Sequence, residues 1–134
     1  MSDSDVETVR LLYERVNDGG IEAAIGLIAE DFVAEVPPSM SAEPDVYRGH
    51  EGVRRFWMEW AEVIEGMTLE IEECRSVDDE WVLAITRASG TGAGSGASVA
   101  SGSFAQLAQF RDGQVVRVRL FGDVGHARAA AGLD

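Results

Sequence analysis

The sequence predicts an α+β domain: a strongly bent, mostly antiparallel sheet wrapped by three N-terminal helices, with a short C-terminal helix. Apolar residues recur at helical spacing as far as about Glu65, and from Met67 they alternate in twos. Apart from one short strand before the third helix, a run of helices therefore precedes a run of strands, the order of an α+β layer fold and not of interleaved βαβ units. The length of 134 residues suits a single domain over 1–134 built on one core. A sheet bent this strongly and covered by helices forms a cone whose mouth can hold a ligand.

Ser4 and Glu7 read as a capping box opening the first helix, with Val9, Leu12, Tyr13 and Val16 on its buried face. Asn17-Asp18-Gly19-Gly20 ends it, glycine tolerating the left-handed cap position. A second helix turns Ile21, Ala24, Ile25 and Ile28 inward, and 31–36 is a short strand stopped by Pro37-Pro38. Residues 37–48 read as a loop. The third helix begins at Gly49 and runs to about Glu65, stopped by Gly66, with Val53, Phe56, Trp57, Trp60 and Ile64 on one face. Two indoles on that face either fill a core or line a pocket.

Met67 to Val77 is a strand with one solvated face, Asp78-Asp79-Glu80 a turn, and Trp81 to Arg87 a more central strand. Residues 89–103, almost all Gly, Ser, Ala and Thr, read as a long hairpin. Phe104–Phe110 and Gln114–Phe121 are strands joined at Asp112-Gly113, the strongest hairpin signal in the chain. An Ala-rich helix over roughly 124–131 closes the order, with Asp123 placed to cap it.

A formal net charge of −13 and a pI near 4.4 disfavour nucleic acid and anionic membranes as partners. All eleven basic residues are Arg, which with the abundant Ala and Gly fits coding in a GC-rich genome. The single Cys74 excludes an intramolecular disulfide and a thiolate metal site, and fits a reducing cytoplasm. The first five residues lack the basic and apolar regions of a signal peptide, and no apolar run approaches membrane-spanning length. No cofactor is expected, since the Gly-rich run at 90–96 lies between strands and opens no helix.

The element order, with the phrases Tyr13 to Gly19, Ala29-Glu30-Asp31-Phe32-Val33, Tyr47 to Val53, Phe110 to Val116 and Phe121-Gly122-Asp123, resembles the nuclear transport factor 2-like superfamily, and within it the SnoaL-like polyketide cyclase and ketosteroid isomerase-like group. The resemblance implies the cone, a hydrophobic small-molecule partner, a bacterial source and a homodimer through the outer sheet face, where Trp81 is a candidate contact. It specifies fold better than function, since this fold hosts isomerases, cyclases and non-enzymatic binders. Ketosteroid isomerases use a helix-one Tyr and a strand carboxyl as oxyanion donors, with an Asp base on the first strand. Phrase by phrase these positions fall on Leu12, Gln106 and Val36, and Tyr13 stands one residue off that register.

Strand parity with the resemblance places Phe32, Ala34 and Val36, and also Val115, Arg117, Arg119 and Phe121, facing into the cone. Candidate catalytic residues are His50, Arg119, Gln106 and Asp123. His50 is an acid or base near neutral pH, or else a helix-start contact. Arg119 and Arg87 are ligand-orienting cations, or else partners of carboxylates on the outer surface. Gln106 bonds a ligand carbonyl or is a satisfied buried amide. Asp123 is an acidic partner at the rim or an N-cap. The candidate ligand-binding set is Tyr13, Phe32, Val36, Met40, Tyr47, Trp57, Trp60, Arg87 and Phe121. No metal is expected, His50 and His126 being far apart. These features point to a cyclase or isomerase acting on a polycyclic or enone-like ligand by carbonyl polarisation, or to a non-catalytic binding or dimerisation module of the same fold.

Overall fold

A computed structural model describes residues 2–36, 46–62, 64–77, 81–92, 96–100 and 103–132. Helix α1 spans Ser2–Gly19, and the four-residue α2, Ile21–Ala24, runs into a 3-10 turn over Ile25–Leu27. Strand β1 (Ile28–Glu35) and strand β2 (Val46–Arg48) precede helix α3 (Gly49–Ala61). Strands β3 (Ile64–Val77), β4 (Trp81–Gly92), β5 (Ser98–Ala100), β6 (Phe104–Arg111) and β7 (Gln114–Phe121) follow, and α4 (Val124–Ala130) comes last. The sheet order is β2-β1-β7-β6-β4-β3, with β5 paired to the end of β4 on the edge away from β3. Only β1 and β7 run parallel, so the sheet is mixed but mostly antiparallel.

Several boundaries differ from the sequence reading. Helix α1 begins at Ser2, which puts Ser4 inside it, where its carbonyl accepts from the Thr8 hydroxyl at 2.9 Å. The second helix lasts one turn, and Ile28 already belongs to β1. Helix α3 ends at Ala61, and Ile64 opens β3, so Gly66 lies within a strand. There its φ of +61° falls at the irregularity between the pairs Glu65↔Thr91 and Thr68↔Ser89. Part of the expected 37–48 loop, Val46–Arg48, is strand β2. Residues 37–45, including the candidate Met40, and the expected turn at Asp78-Asp79-Glu80 lie outside the described residues. The Gly/Ser/Ala stretch divides between the end of β4 and β5.

The β6–β7 turn has φ +53° at Asp112 and +78° at Gly113, the two left-handed residues of a tight hairpin. Asp123 caps α4 as its sequence position suggests, its Oδ1 accepting from the His126 backbone N–H at 3.0 Å.

The sheet separates two apolar layers. On one face, Leu83, Ile85, Ala105 and Leu107 pack with Ala127 of α4, and Trp81 and Phe121 flank them. Arg128 ties α4 to Glu73 of β3 at 2.6 Å. The other face is covered by α1 and α3. Val9, Tyr13 and Val16 of α1 are buried, at the spacing of successive helical turns. Asn17 clamps the end of α1 to the edge strand, donating to the Leu69 carbonyl at 2.9 Å and accepting its N–H at 2.8 Å.

Helix α3 is seated by Tyr47 and Gly52. A Cβ at Gly52 would stand 2.9 Å from the Tyr47 carbonyl carbon. The Tyr47 side chain is buried, and its hydroxyl donates to Glu59 of α3 at 2.7 Å. A Gly52→Ala substitution is therefore expected to push α3 away from β2 and to lower stability by about 1–3 kcal/mol. Thermal or denaturant unfolding checks this, and an unchanged midpoint would contradict the tight seat.

Candidate functional site

Between the sheet and the two helices lies a cavity of about 160 Å³. Its walls come from most of the chain: Leu12 and Tyr13 of α1, Phe32 and Ala34 of β1, Phe56, Trp57 and Trp60 of α3, and Phe104, Gln106, Phe110, Val118 and Leu120 of β6 and β7. Tyr47 of β2 and the rings of α3 form a chain of edge contacts, Tyr47 to Phe56 at 5.2 Å and Phe56 to Trp60 at 6.3 Å. Trp60 then meets Phe104 across the gap at 6.1 Å. Trp57, Trp60, Met67 and Phe104 are each partly exposed.

Apart from the Tyr47 phenol, which is bound to Glu59, and the indole N–H groups of Trp57 and Trp60, polar chemistry in this lining is concentrated at one spot. The Tyr13 hydroxyl receives a short hydrogen bond from the Gln106 amide and lies 3.1 Å from the Thr86 hydroxyl. Tyr13 is 6% exposed and Thr86 fully buried, so these groups satisfy one another in an apolar setting. Thr86 lies on β4 with Val82, Ala84 and Ala88 at alternate positions, all buried. Burial pushes the Tyr13 phenol well above its ordinary value of 10.0, outweighing the hydrogen bonds from Thr86 and Gln106 that act the other way. Tyr13 is thus a neutral donor at any physiological pH, and not a base. Among the described residues lining the cavity there is no Asp, Glu, His, Arg or Cys.

The family model for the SnoaL-like domain matches residues 9–118. The chain belongs to the SnoaL-like family. No match was found among curated proteins. Several solved structures share its fold. A nuclear transport factor 2-like protein of unknown function from Burkholderia pseudomallei is 22% identical, with a TM-score of 0.76 over 96% of this chain and 97% of that one. A protein assigned as a SnoaL-like polyketide cyclase from Jannaschia is 21% identical, with a TM-score of 0.74 over 100% and 95%. TerC, co-crystallised with polyporic acid, is 19% identical, with a TM-score of 0.75 over 96% and 98%.

In this SnoaL-like chain the positions matched to the isomerase machinery have separate fates. Leu12 lines the cavity as an apolar group. Val36 is buried in the core cluster beside Phe32 and Tyr47, outside the cavity lining. Gln106 faces inward, and the phenol of Tyr13 reaches it despite the one-residue offset. Of the remaining candidates, Tyr47, Trp57 and Trp60 line the cavity with Phe32.

Four candidates belong elsewhere. Arg119 and Phe121 are on the opposite face, Arg119 beside Glu35 at 3.5 Å and 5.3 Å from the Phe121 ring centroid. The reason is a bulge. Phe110 pairs with Val115 but Gln109 pairs with Arg117, so Val116 is an extra residue that inverts the parity of β7. Val118 and Leu120 therefore face the cavity, while Arg117 and Arg119 face away. Arg87 is exposed and paired with Glu72 at 3.1 Å. Asp123 is the N-cap of α4 on the far side of the sheet. A fifth candidate, His50, is also absent from the cavity lining: its Nε2 lies 2.7 Å from the Ile28 carbonyl, joining the start of α3 to β1. The half-buried Cys74 has its thiol pushed up by burial, which keeps it inert.

Two outcomes follow. Because the unfolded chain releases the Tyr13 proton near its ordinary value of 10.0 and the folded chain retains it, stability is full below that pH and falls above it. Denaturant unfolding from about pH 8 to about pH 11 should show a steeper alkaline loss for the native chain than for Tyr13→Phe, and equal slopes would contradict it. Arg119→Ala, which removes an exposed ion pair with Glu35 and a contact with the Phe121 ring on the face away from the cavity, should leave the affinity for any ligand taken up by the cavity within about twofold by calorimetry, and a larger loss would return Arg119 to the site.

Proposed function

We propose that this protein binds a neutral hydrophobic small molecule in the cone and holds an oxygen of it against Tyr13 and Gln106. The observation that carries the reading is the apolar cavity with its polar chemistry gathered at one hydroxyl–amide pair. A ligand carbonyl that displaces one internal hydrogen bond finds a neutral phenol and an amide as donors, in surroundings where such bonds are stronger than in water. Donors of this kind polarise a carbonyl and stabilise charge that develops on its oxygen, which is how a cyclase or isomerase of this fold would act. The polyporic acid crystallised with TerC supports a small-molecule occupant by analogy of fold.

A second reading is a binder without turnover. It is favoured by the lining itself, which offers no side-chain base among the described residues. A reaction in this cone would have to proceed by donor catalysis, with any proton abstraction left to solvent or to the ligand.

The test is a titration of intrinsic tryptophan fluorescence with hydrophobic ketones. Saturable quenching is expected, reduced in Trp57→Phe and Trp60→Phe because both indoles line the cavity. Tyr13→Phe is expected to weaken a ketone by up to about tenfold, the worth of one net hydrogen bond. An absence of quenching, or quenching that survives both indole replacements, would contradict the reading. Product formation from a bound enone separates catalysis from binding alone.

A further inference from the structure

The geometry points to a ligand of one or two rings bearing a single neutral oxygen, and not to a polycyclic or anionic one. This rests on the proposed ligand-binding role and narrows it to a chemical class. The expectation from the sequence was a polycyclic ligand, and the size of the cavity argues against it.

The room available is about 160 Å³. An apolar cavity of roughly 150 Å³ is known to take up one benzene. One ring therefore fills the inner part beside Tyr13 and Gln106. A second has space only toward Trp57, Trp60 and Phe104, which are partly exposed. A third or fourth fused ring has no walled space left to it: it would either project past these rings, where it buries little, or displace packed aromatic side chains at the cost that overpacking carries. Phe110 and Phe32 both stand in the wall and bound this space.

The chemistry of the lining sets the charge. A carboxylate or phenolate carried inside would lose its water and gain no cation, since no Arg or His is among the described lining residues. The net charge of −13 also repels it on approach. The polar spot is one hydroxyl and one amide, with Thr86 behind Tyr13 as the alternative partner for its hydroxyl. Thr86 lets Tyr13 turn its proton toward a ligand without leaving a buried oxygen unpaired. That arrangement serves one carbonyl or one hydroxyl. A second polar group held inside the cone would be left against Phe and Val side chains.

Calorimetric titration with four probes tests this: 1-tetralone, its deoxygenated counterpart tetralin, 1-naphthoate, and a four-ring steroid enone. The expected order is 1-tetralone tightest, tetralin weaker by up to about tenfold for the lost hydrogen bond, and the other two weaker still. In Tyr13→Phe the gap between 1-tetralone and tetralin should close. In Phe110→Ala, which enlarges the cavity, the three-ring ketone anthrone should gain relative to 1-tetralone. The inference is overturned if the steroid enone or the naphthoate binds the native protein more tightly than 1-tetralone, or if tetralin equals 1-tetralone; the pocket itself would then stand. Failure of all four probes to bind would remove the ligand-binding role as well.

Discussion

A sheet that follows every strand straight would bring α1 and α3 down onto it and leave no interior space. Here the strands carry extra residues at points of register change: within β1 before Val33, in β3 near Gly66 and near Glu72, and in β7 at Val116. Each adds twist and bends its strand. The resulting curvature lets the helices rest on the sheet's margins. Asn17 bonds α1 to the β3 edge, and Tyr47 with Gly52 seats α3 against β2 at the opposite edge. The cavity is the space this bend leaves between margins that are pinned.

That space then sorts the chemistry. Charge is excluded from it and placed on the outer face and helix surfaces, where Glu35 meets Arg117 and Arg119, Glu72 meets Arg87, and Arg54 meets Glu22. Such exposed pairs add little to stability, but they hold three of the six strand arginines on the outside, and no cation is among the described residues lining the interior. The Tyr13 hydroxyl is held neutral by the same burial that makes it costly, and it is tolerated because Gln106 and Thr86 satisfy it. Fold and candidate function therefore share one device. The polar spot that keeps Tyr13 from being an unsatisfied core group also offers the ligand its donors.

Much of the architecture was legible, and the failures have identifiable physics. The helical face of Val53, Phe56, Trp57 and Trp60 was read from spacing alone, and it lines the cavity. Ile64 continues that spacing numerically but belongs to β3, because a short apolar stretch after a helix suits either period. The parity of β1 could be counted directly and, with the resemblance, placed Phe32 inward; Gln106 was a candidate whose role the sequence left open. The same count on β7 placed Arg119 inward and failed, since a bulge at Val116 has no signature in a run of Val and Arg. Tyr13 read as an apolar group of helix one; its hydroxyl gains meaning only when Thr86 and Gln106, distant in sequence, arrive beside it. His50 and Asp123 carried local structural roles that short-range rules already offered, a helix-start contact and an N-cap.

The most direct measurement is a two-dimensional NMR titration of the isotopically labelled protein with 1-tetralone, following the Gln106 side-chain amide and the Trp57 and Trp60 indole N–H groups. Expected is a saturable shift of all three with one dissociation constant, since a single occupant touches both the polar spot and the aromatic wall. Shifts confined to exposed groups, or a Gln106 amide that stays still while the indoles move, would contradict a cone whose ligand is anchored on Tyr13 and Gln106.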